Sequence, residues 1–315
     1  MSNLCFFCLI VVIFTVSQGI FISRKFIAKL EFDDKFSNNE LLGEYNSKSL
    51  IECGIICQRE RRCSLFGYNT RLKKCRIHHK AFTSGTSNQA GWRYMYYQYL
   101  PVDCKDLHDC GNTNSGVYEI YPLGARSIRV YCDMMTQGGG WTVIQKRVSG
   151  SLSFNRNWAE YKNGFGDPEQ NMWIGNDVIH QLTKNKDSHL YVSITTQNGT
   201  KLYQLYYQFN VSSETEKFKI FLSGDSTGTL GDSMVNTALT WENQSGMYFS
   251  TPDNDNDNWE NNCAAFHNGG GWWFNNCHQA FLNGPWTPVE WKYPWNPPFE
   301  YGTSVYGTLM MVRRG

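Results

Sequence analysis

No charge of either sign predominates in this sequence. Its 315 residues hold 29 Lys and Arg against 28 Asp and Glu, a formal net charge of +1. Nothing of that size steers a protein to nucleic acid or to anionic lipid. Charged residues are scarce at 18% while hydrophobic ones reach 41%, which excludes a disordered polypeptide and fits a globular one. A membrane-spanning helix needs about 20 apolar residues, and the run Leu4–Val16 is too short for that. There is no Gly-X-Y repeat and no heptad pattern, so no extended oligomerising stalk is expected. A catalytic motif is also missing. Gly224-Asp225-Ser226-Thr227-Gly228 has the spacing of a nucleophile elbow, but such an elbow opens a helix, and turn-forming Thr229-Leu230-Gly231-Asp232 follows instead. Gly231-Asp232-Ser233 runs into Met234, and no motif links a histidine to either serine. The protein is expected not to be an enzyme.

What is present points outside the cell. Leu4–Val16 stops at Ser17-Gln18-Gly19, the form of a signal-peptide core with small residues for cleavage, although Met1-Ser2-Asn3 adds no positive charge. A signal peptide is assigned to residues 1–19, and the mature protein is expected to be secreted and extracellular. Cys5 and Cys8 would leave with it. Of the 11 cysteines, Cys53, Cys57, Cys63, Cys75, Cys104, Cys110, Cys132, Cys263 and Cys277 remain. In an oxidising compartment these form disulfides, and an odd number leaves one thiol free or intermolecular. Sequons at Asn198, Asn210 and Asn243 agree with a secreted glycoprotein. Aromatics make up 15%, with 11 Trp, a store of rings suited to recognition surfaces.

The cysteines cluster at 53–75 and 104–132, with a late pair at 263 and 277. Pro101 marks a short stiff connection between two units. In the first, Ser49-Leu50-Ile51-Glu52 has capping-box form and predicts a helix over 50–59. Cys53 and Cys57, four apart, then share a face and can be tied to the backbone returning through Cys63 and Cys75. A zinc site with His78 and His79 is the alternative, and it needs the thiolates of a reducing compartment. The stretch 24–99 resembles a PAN/apple domain through Cys53-x3-Cys57, Cys63, Phe66-Gly67-Tyr68, Cys75 and Gly91-Trp92-Arg93-Tyr94. The resemblance implies Cys53–Cys75 and Cys57–Cys63, and a module that binds proteins or sugars.

The second unit reads mostly as strands: 116–122, 128–132, 141–147, 190–196, 202–211 and 218–222 are rich in β-branched and aromatic residues. Short helices are expected at 158–162 and after Asn176-Asp177, an N-cap pair. Beyond Ser223, Gly, Asn, Asp and Trp dominate and periodicity fades, so this region is loop-rich and a candidate for function. Residues 102–315 resemble a fibrinogen C-terminal (fibrinogen-like, ficolin- or tachylectin-type) domain. The residues that carry this include Asp103-Cys104, Tyr131-Cys132-Asp133-Met134, Gly138 to Arg147, Gly231-Asp232-Ser233, Phe249-Ser250-Thr251, Asp253 to Cys263, Trp272-Trp273, Asn276-Cys277-His278 and Leu282-Asn283-Gly284. The fold class is therefore α+β: a small disulfide-bonded PAN/apple-like domain, then a fibrinogen-like domain with a mostly antiparallel sheet and a loop-rich calcium- and ligand-binding region. The resemblance implies Cys104–Cys132 and Cys263–Cys277, which leaves Cys110 unpaired or linking two copies in a homo-oligomer.

Asp253, Asp255 and Asp257 crowd three carboxylates into five residues, and a hard cation relieves their repulsion. An EF-hand counted from Asp253 would need Gly at Asn258 and Glu at Ala264, so this is a different calcium loop. The resemblance implies Ca2+ held by the side chains of Asp255 and Asp257 and the carbonyls of Trp259 and Asn261. It implies an acetyl-binding pocket at His267, Phe274, Cys277 and His278, shaped by a cis peptide at Asn276–Cys277. This sequence departs from that pattern in three places. His267 stands where tyrosine is usual. The 263–277 loop is one residue longer. The segment after Gly284 that bears a pocket wall is shortened to Pro285-Trp286-Thr287-Pro288, with Trp286 or 296–301 as substitutes. Trp272 and Trp273 are assigned to the core. The function expected is that of a secreted calcium-dependent lectin-like protein of innate immunity, binding acetylated glycans or glycoproteins on microbial surfaces. The rival is a receptor ligand or matrix protein of angiopoietin-like kind. Neither nucleic acid nor a membrane span is expected.

Overall fold

A computed structural model of the protein describes residues 32–315 except 61, 80–85, 124–125, 186, 236–239, 287–293 and 300–304; upstream it describes only short backbone stretches within 11–28. Most of the 1–19 signal-peptide assignment thus lies outside the described residues. The protein divides into two compact units, Met1–Leu100 and Pro101–Gly315.

The first unit is built on a six-stranded antiparallel sheet. Its order is Val11–Ile13, Arg24–Ala28, Trp92–Tyr99, Leu65–Asn69, Lys74–His78 and Leu41–Asn46. A helix over Leu50–Arg59 packs on the two strands of the 65–78 hairpin. Ser49 caps it, its hydroxyl accepting from the Glu52 N–H at 3.1 Å. The Glu52 carboxylate turns back to accept from the N–H of Lys48 rather than that of Ser49. Cys53–Cys75 and Cys57–Cys63 are disulfides, so no thiolate here is left for zinc. Cys53 and Cys57 lie on the buried face with Phe66, Tyr68 and Ile77, replacing the large core so small a unit lacks.

The second unit is organised by a nine-stranded sheet. Along its main path run Gly116–Ile120, Ile128–Asp133, Trp141–Arg147, Val305–Arg314, Ser188–Thr196, Lys201–Tyr206 and Ser226–Gly228. The last strand in sequence lies at its centre, paired with both 141–147 and 188–196. Trp141–Arg147 is buried almost throughout because both faces are covered. Trp141, Val143 and Met311 pack on one side, and Ile144 joins the large core that includes Trp173, Trp272 and Trp273 on the other. Cys104–Cys132 ties the entry helix Cys104–Asp109 to the second strand.

Two local expectations are corrected. The strand expected over 202–211 is two strands, Lys201–Tyr206 and Phe209–Val211. The second leaves the main sheet to pair with Ile220–Leu222, which buries Phe209 and Val211 in the core. Asn176 is not the N-cap of its helix but its first residue, with Gly175 at the cap. Its side-chain oxygen accepts instead from the Trp173 indole N–H at 2.9 Å, a buried partner that outcompetes a solvent-facing cap.

Candidate functional site

Residues 249–284 contain almost no regular structure, so side chains replace the ladder of a sheet in satisfying the backbone. The Asn256 N–H donates to the Ser250 hydroxyl at 2.9 Å, and its amide donates to the Phe249 carbonyl at 3.0 Å. Asn258 donates from its backbone to the Asn275 carbonyl at 3.1 Å and from its amide to the Asn275 side chain at 2.9 Å. Asn262 donates to the Thr251 carbonyl at 3.0 Å. Beneath them, Asn283 donates to the Gly271 carbonyl at 2.9 Å and accepts from Gln145 at 3.2 Å, which bolts the loops to the sheet. Buried Arg147 completes the bolt by donating to the carbonyls of Leu282 and Gly284. Glycine is required where these layers meet. A Cβ on Gly270 would fall 2.0 Å from the Tyr161 hydroxyl and 2.3 Å from the Phe154 carbonyl.

The three aspartates of the acidic loop do different work. Asp253 faces away: its carboxylate accepts from the Trp158 N–H at 2.9 Å and from the Thr251 hydroxyl at 2.7 Å. Asp257 turns inward, accepting from the Trp259 N–H and from the Cys263 N–H, each at 2.9 Å. Burial raises its carboxyl to about 6, against the pull of those two N–H groups, and the Asp255 carboxylate beside it adds repulsion. Asp255 accepts from the Asp257 N–H at 3.2 Å. Among the described residues no donor reaches the carbonyls of Trp259 and Asn261. Two repelling carboxylates and two open carbonyls are a set of hard oxygen donors of the kind calcium takes. Among the described residues no group of three or more His, Cys, Asp or Glu side chains is arranged to hold a metal ion, so a cation here depends on the main-chain oxygens.

Asp257 links this loop to its neighbour, because the Cys263 amide it holds begins the disulfide loop Cys263–Cys277. Within that loop His267 closes the short helix Cys263–Phe266, and its ring meets His278 at 4.8 Å. His278 lies 5.8 Å from Phe274 and 5.0 Å from Phe281 between ring centres. The four residues expected at the pocket are thus contiguous, and Phe281 joins them. The Asn276–Cys277 peptide is cis. The Cys277 N–H has no acceptor among the described residues. His278 is 7% exposed, and neither ring nitrogen has a partner among the described residues. Burial, with His267 adding repulsion, holds its basicity well below the usual histidine range, so the ring is neutral. A neutral imidazole offers one donor and one acceptor, and leaving both buried and unmet is costly unless a ligand or water completes them.

The remaining expected residues fall elsewhere. Trp272 and Trp273 are fully buried and bonded, to the Gln244 side chain and the Phe218 carbonyl. Trp286 packs over the Arg147 guanidinium at 5.0 Å and beside Gly150. Of 296–301, the Asn296 N–H donates to the Gln279 carbonyl at 2.8 Å and Phe299 is buried; residues 300 and 301 lie outside the described residues. Cys110 is exposed and free at the end of the entry helix. Sequence reasoning missed Trp241. It is 53% exposed, and its carbonyl accepts at 3.0 Å from the N–H of Asn276, the residue that begins the cis peptide. A tryptophan in a polar stretch, Thr240-Trp241-Glu242-Asn243, is the signal that could have found it.

A twisted antiparallel sheet bolted to a disulfide-braced loop cluster is the architecture of a fibrinogen-like globe. The protein belongs to the family of the C-terminal globular domain of fibrinogen beta and gamma chains, whose model matches residues 100–295, and residues 31–100 match a PAN domain. It is 41% identical over 195 residues to human (Homo sapiens) fibroleukin, covering 60% of this chain and 43% of that one. It is 41% identical over 188 residues to ryncolin-4 of Cerberus rynchops, covering 59% and 52%. Angiopoietin-2 of Canis lupus familiaris is 38% identical over 227 residues, covering 69% and 43%. The protein thus spans about half the length of these relatives. Among solved structures, the fibrinogen-like globe domain of human ANGPTL2 superposes with a TM-score of 0.62 at 34% identity, covering 68% of this chain and 99% of that one. Lamprey fibrin D-dimer complexed with the peptide ligand Gly-His-Arg-Pro-amide superposes with a TM-score of 0.60 at 30% identity, covering 68% and 73%.

Proposed function

We propose that this is a secreted, non-catalytic recognition protein of lectin type, acting in innate defence, that takes acetylated glycans in the pocket at His267, Phe274, Cys277 and His278. The observation that carries this reading is the pairing of unmet polar atoms with an aromatic wall. Among the described residues the Cys277 N–H has no acceptor and is open for an acetyl oxygen, and both ring nitrogens of His278 lack a partner. Phe274 and Phe281, both buried in the core beside them, are the apolar rings against which the acetyl methyl would pack. Calcium, held by Asp255, Asp257 and the carbonyls of Trp259 and Asn261, fixes the loop. Removing it leaves Asp257 and Asp255 in repulsion, one hydrogen bond away from the disulfide loop that shapes the pocket. Cys110, exposed and unpaired, would join two copies and give a weak sugar site a second arm. The domain limits 24–99 and 102–315 belong to the same proposal.

A second reading has its own support. The identity to angiopoietin-2 and the peptide bound by lamprey fibrin favour a protein ligand for the same loop cluster. Glycan-array binding separates the two. The lectin reading predicts acetylated-glycan signals that vanish in a chelator. A blank array from correctly folded, calcium-loaded protein would discard it in favour of a protein partner.

A further inference from the structure

We infer that the N-linked glycan of Asn210 folds back onto the protein, its first sugars covering a shallow apolar groove of which Asn210 is itself one wall. The three sequons have very different surroundings. Asn198 sits in the turn between Ser188–Thr196 and Lys201–Tyr206, where a Cβ on Gly199 would meet nothing within 4 Å. A glycan there extends into solvent. Asn243 has its side-chain oxygen held by the Ser245 N–H at 2.8 Å, as Asn198 has its own held by the Thr200 N–H at 3.1 Å, and the hydroxyls of Ser245 and Ser212 are both bonded, to Leu222 and to Glu216 and Lys219. Asn210 stands instead beside an exposed aromatic ring.

That ring is Phe221. In the Phe209–Val211 and Ile220–Leu222 hairpin, Asn210 lies directly opposite Phe221. Strand alternation sends Phe209, Val211, Ile220 and Leu222 into the core and leaves Asn210 and Phe221 on the outer face. Directly opposed residues have Cβ atoms about 4.5–5.5 Å apart, within reach of one sugar. Phe221 is 46% exposed. Beside it lies a groove of about 330 Å3 lined by Asn210, Ser212, Lys219, Ile220, Phe221 and Gly246, at the small end of ligand-site volumes. The C–H face of a pyranose is apolar and flat and suits a phenyl ring, while its hydroxyls suit the Lys219 ammonium. An isolated exposed phenylalanine needs no explanation, but one set opposite a glycosylation acceptor has a cover supplied.

The modification needs passage through the secretory pathway and does not depend on the calcium loop. A bond forms between the Asn210 amide nitrogen and the anomeric carbon of a lipid diphosphate-linked oligosaccharide. The anomeric C–O bond breaks, the lipid diphosphate leaves with the electron pair, and the amide gives up one proton.

The test uses the full-length protein secreted from eukaryotic cells. Peptide mass mapping should find Asn210 occupied. Asn210→Gln should lower the melting temperature by about 2–4 °C, while Asn198→Gln leaves it unchanged. Phe221→Ser should lower it by a similar amount in the glycosylated protein and not at all in the Asn210→Gln background. Trimming the glycan enzymatically to its first sugar should keep most of the stability. An unoccupied Asn210, an equal loss from Asn198→Gln, or simple additivity of Asn210→Gln and Phe221→Ser would each overturn the inference.

Discussion

The nine-stranded sheet and the loops at 249–284 share one hydrophobic core, yet they meet the demands of a buried backbone by different means. In the sheet, strand ladders satisfy the N–H and C=O groups, and side chains are left to pack: Val192, Ile194 and Met310 are fully buried. In the loops, asparagine, aspartate and glutamine side chains do that work, through Asn256, Asn262, Asn275, Asn283, Asp257 and Gln244. A sheet tolerates many sequences with the right alternation, whereas a loop held this way depends on particular polar residues. Such a loop can also present unmet donors and acceptors to a ligand without unravelling.

The largest expected effect tests whether the loops share in the core at all. Trp273→Ala should cost about 3–5 kcal/mol in denaturant unfolding, as much as any large core residue. A cost below about 1 kcal/mol would mean that the loops merely decorate the sheet. Next in size is Asn283→Ala, which strands the Gly271 carbonyl and a Gln145 donor and should cost about 1–3 kcal/mol. An alanine at exposed Thr227 in the sheet should change stability by less than about 0.5 kcal/mol.

Acid provides a third comparison, because each unit buries a histidine of lowered basicity. Burial takes His78 in the first unit down to about 4, and takes His278 in the loops well below its usual range. Both take up a proton more readily when unfolded, so their contribution is full above the unfolded value of about 6.5 and is lost as pH falls below it. Each group then costs about 1.4 kcal/mol per pH unit until its folded value is reached. Asp103 and Asp257, whose carboxyls burial raises to about 6, act in the opposite sense below that pH, so the histidine share is read from a variant: between pH 7 and pH 5 the unfolding free energy of His278→Gln should fall less than that of the unchanged protein. An unchanged slope would mean that His278 is protonated in the folded protein. The smallest effect is on the fold itself: Cys110→Ser should alter stability by less than about 0.5 kcal/mol while abolishing any disulfide-linked dimer on a non-reducing gel.

Legibility in the sequence followed the same divide. β-Branched and aromatic residues located the strands at 128–132, 141–147 and 190–196 to within a residue or two, because a strand that buries one face or both selects them. That content did not show that 202–211 breaks at Tyr207-Gln208, since both halves keep it while changing sheets. Asn176 was misplaced because its buried partner, Trp173, is visible only in three dimensions. In the loops the acidic run and the Cys263–Cys277 spacing marked where to look. The separation of Asp253, which braces Trp158, from Asp255 and Asp257 required coordinates. Phe281 and Trp241 were missed for want of periodicity in their surroundings.

The central claim is a calcium-braced pocket for acetylated sugars, and calorimetry tests it most directly. N-acetylglucosamine is titrated into the purified protein in millimolar calcium, in EDTA, and into Asp255→Ala with calcium present. The account predicts heat of binding in calcium alone, lost in EDTA and in the variant. No heat from a protein that still binds calcium, or equal heat with and without it, would contradict it.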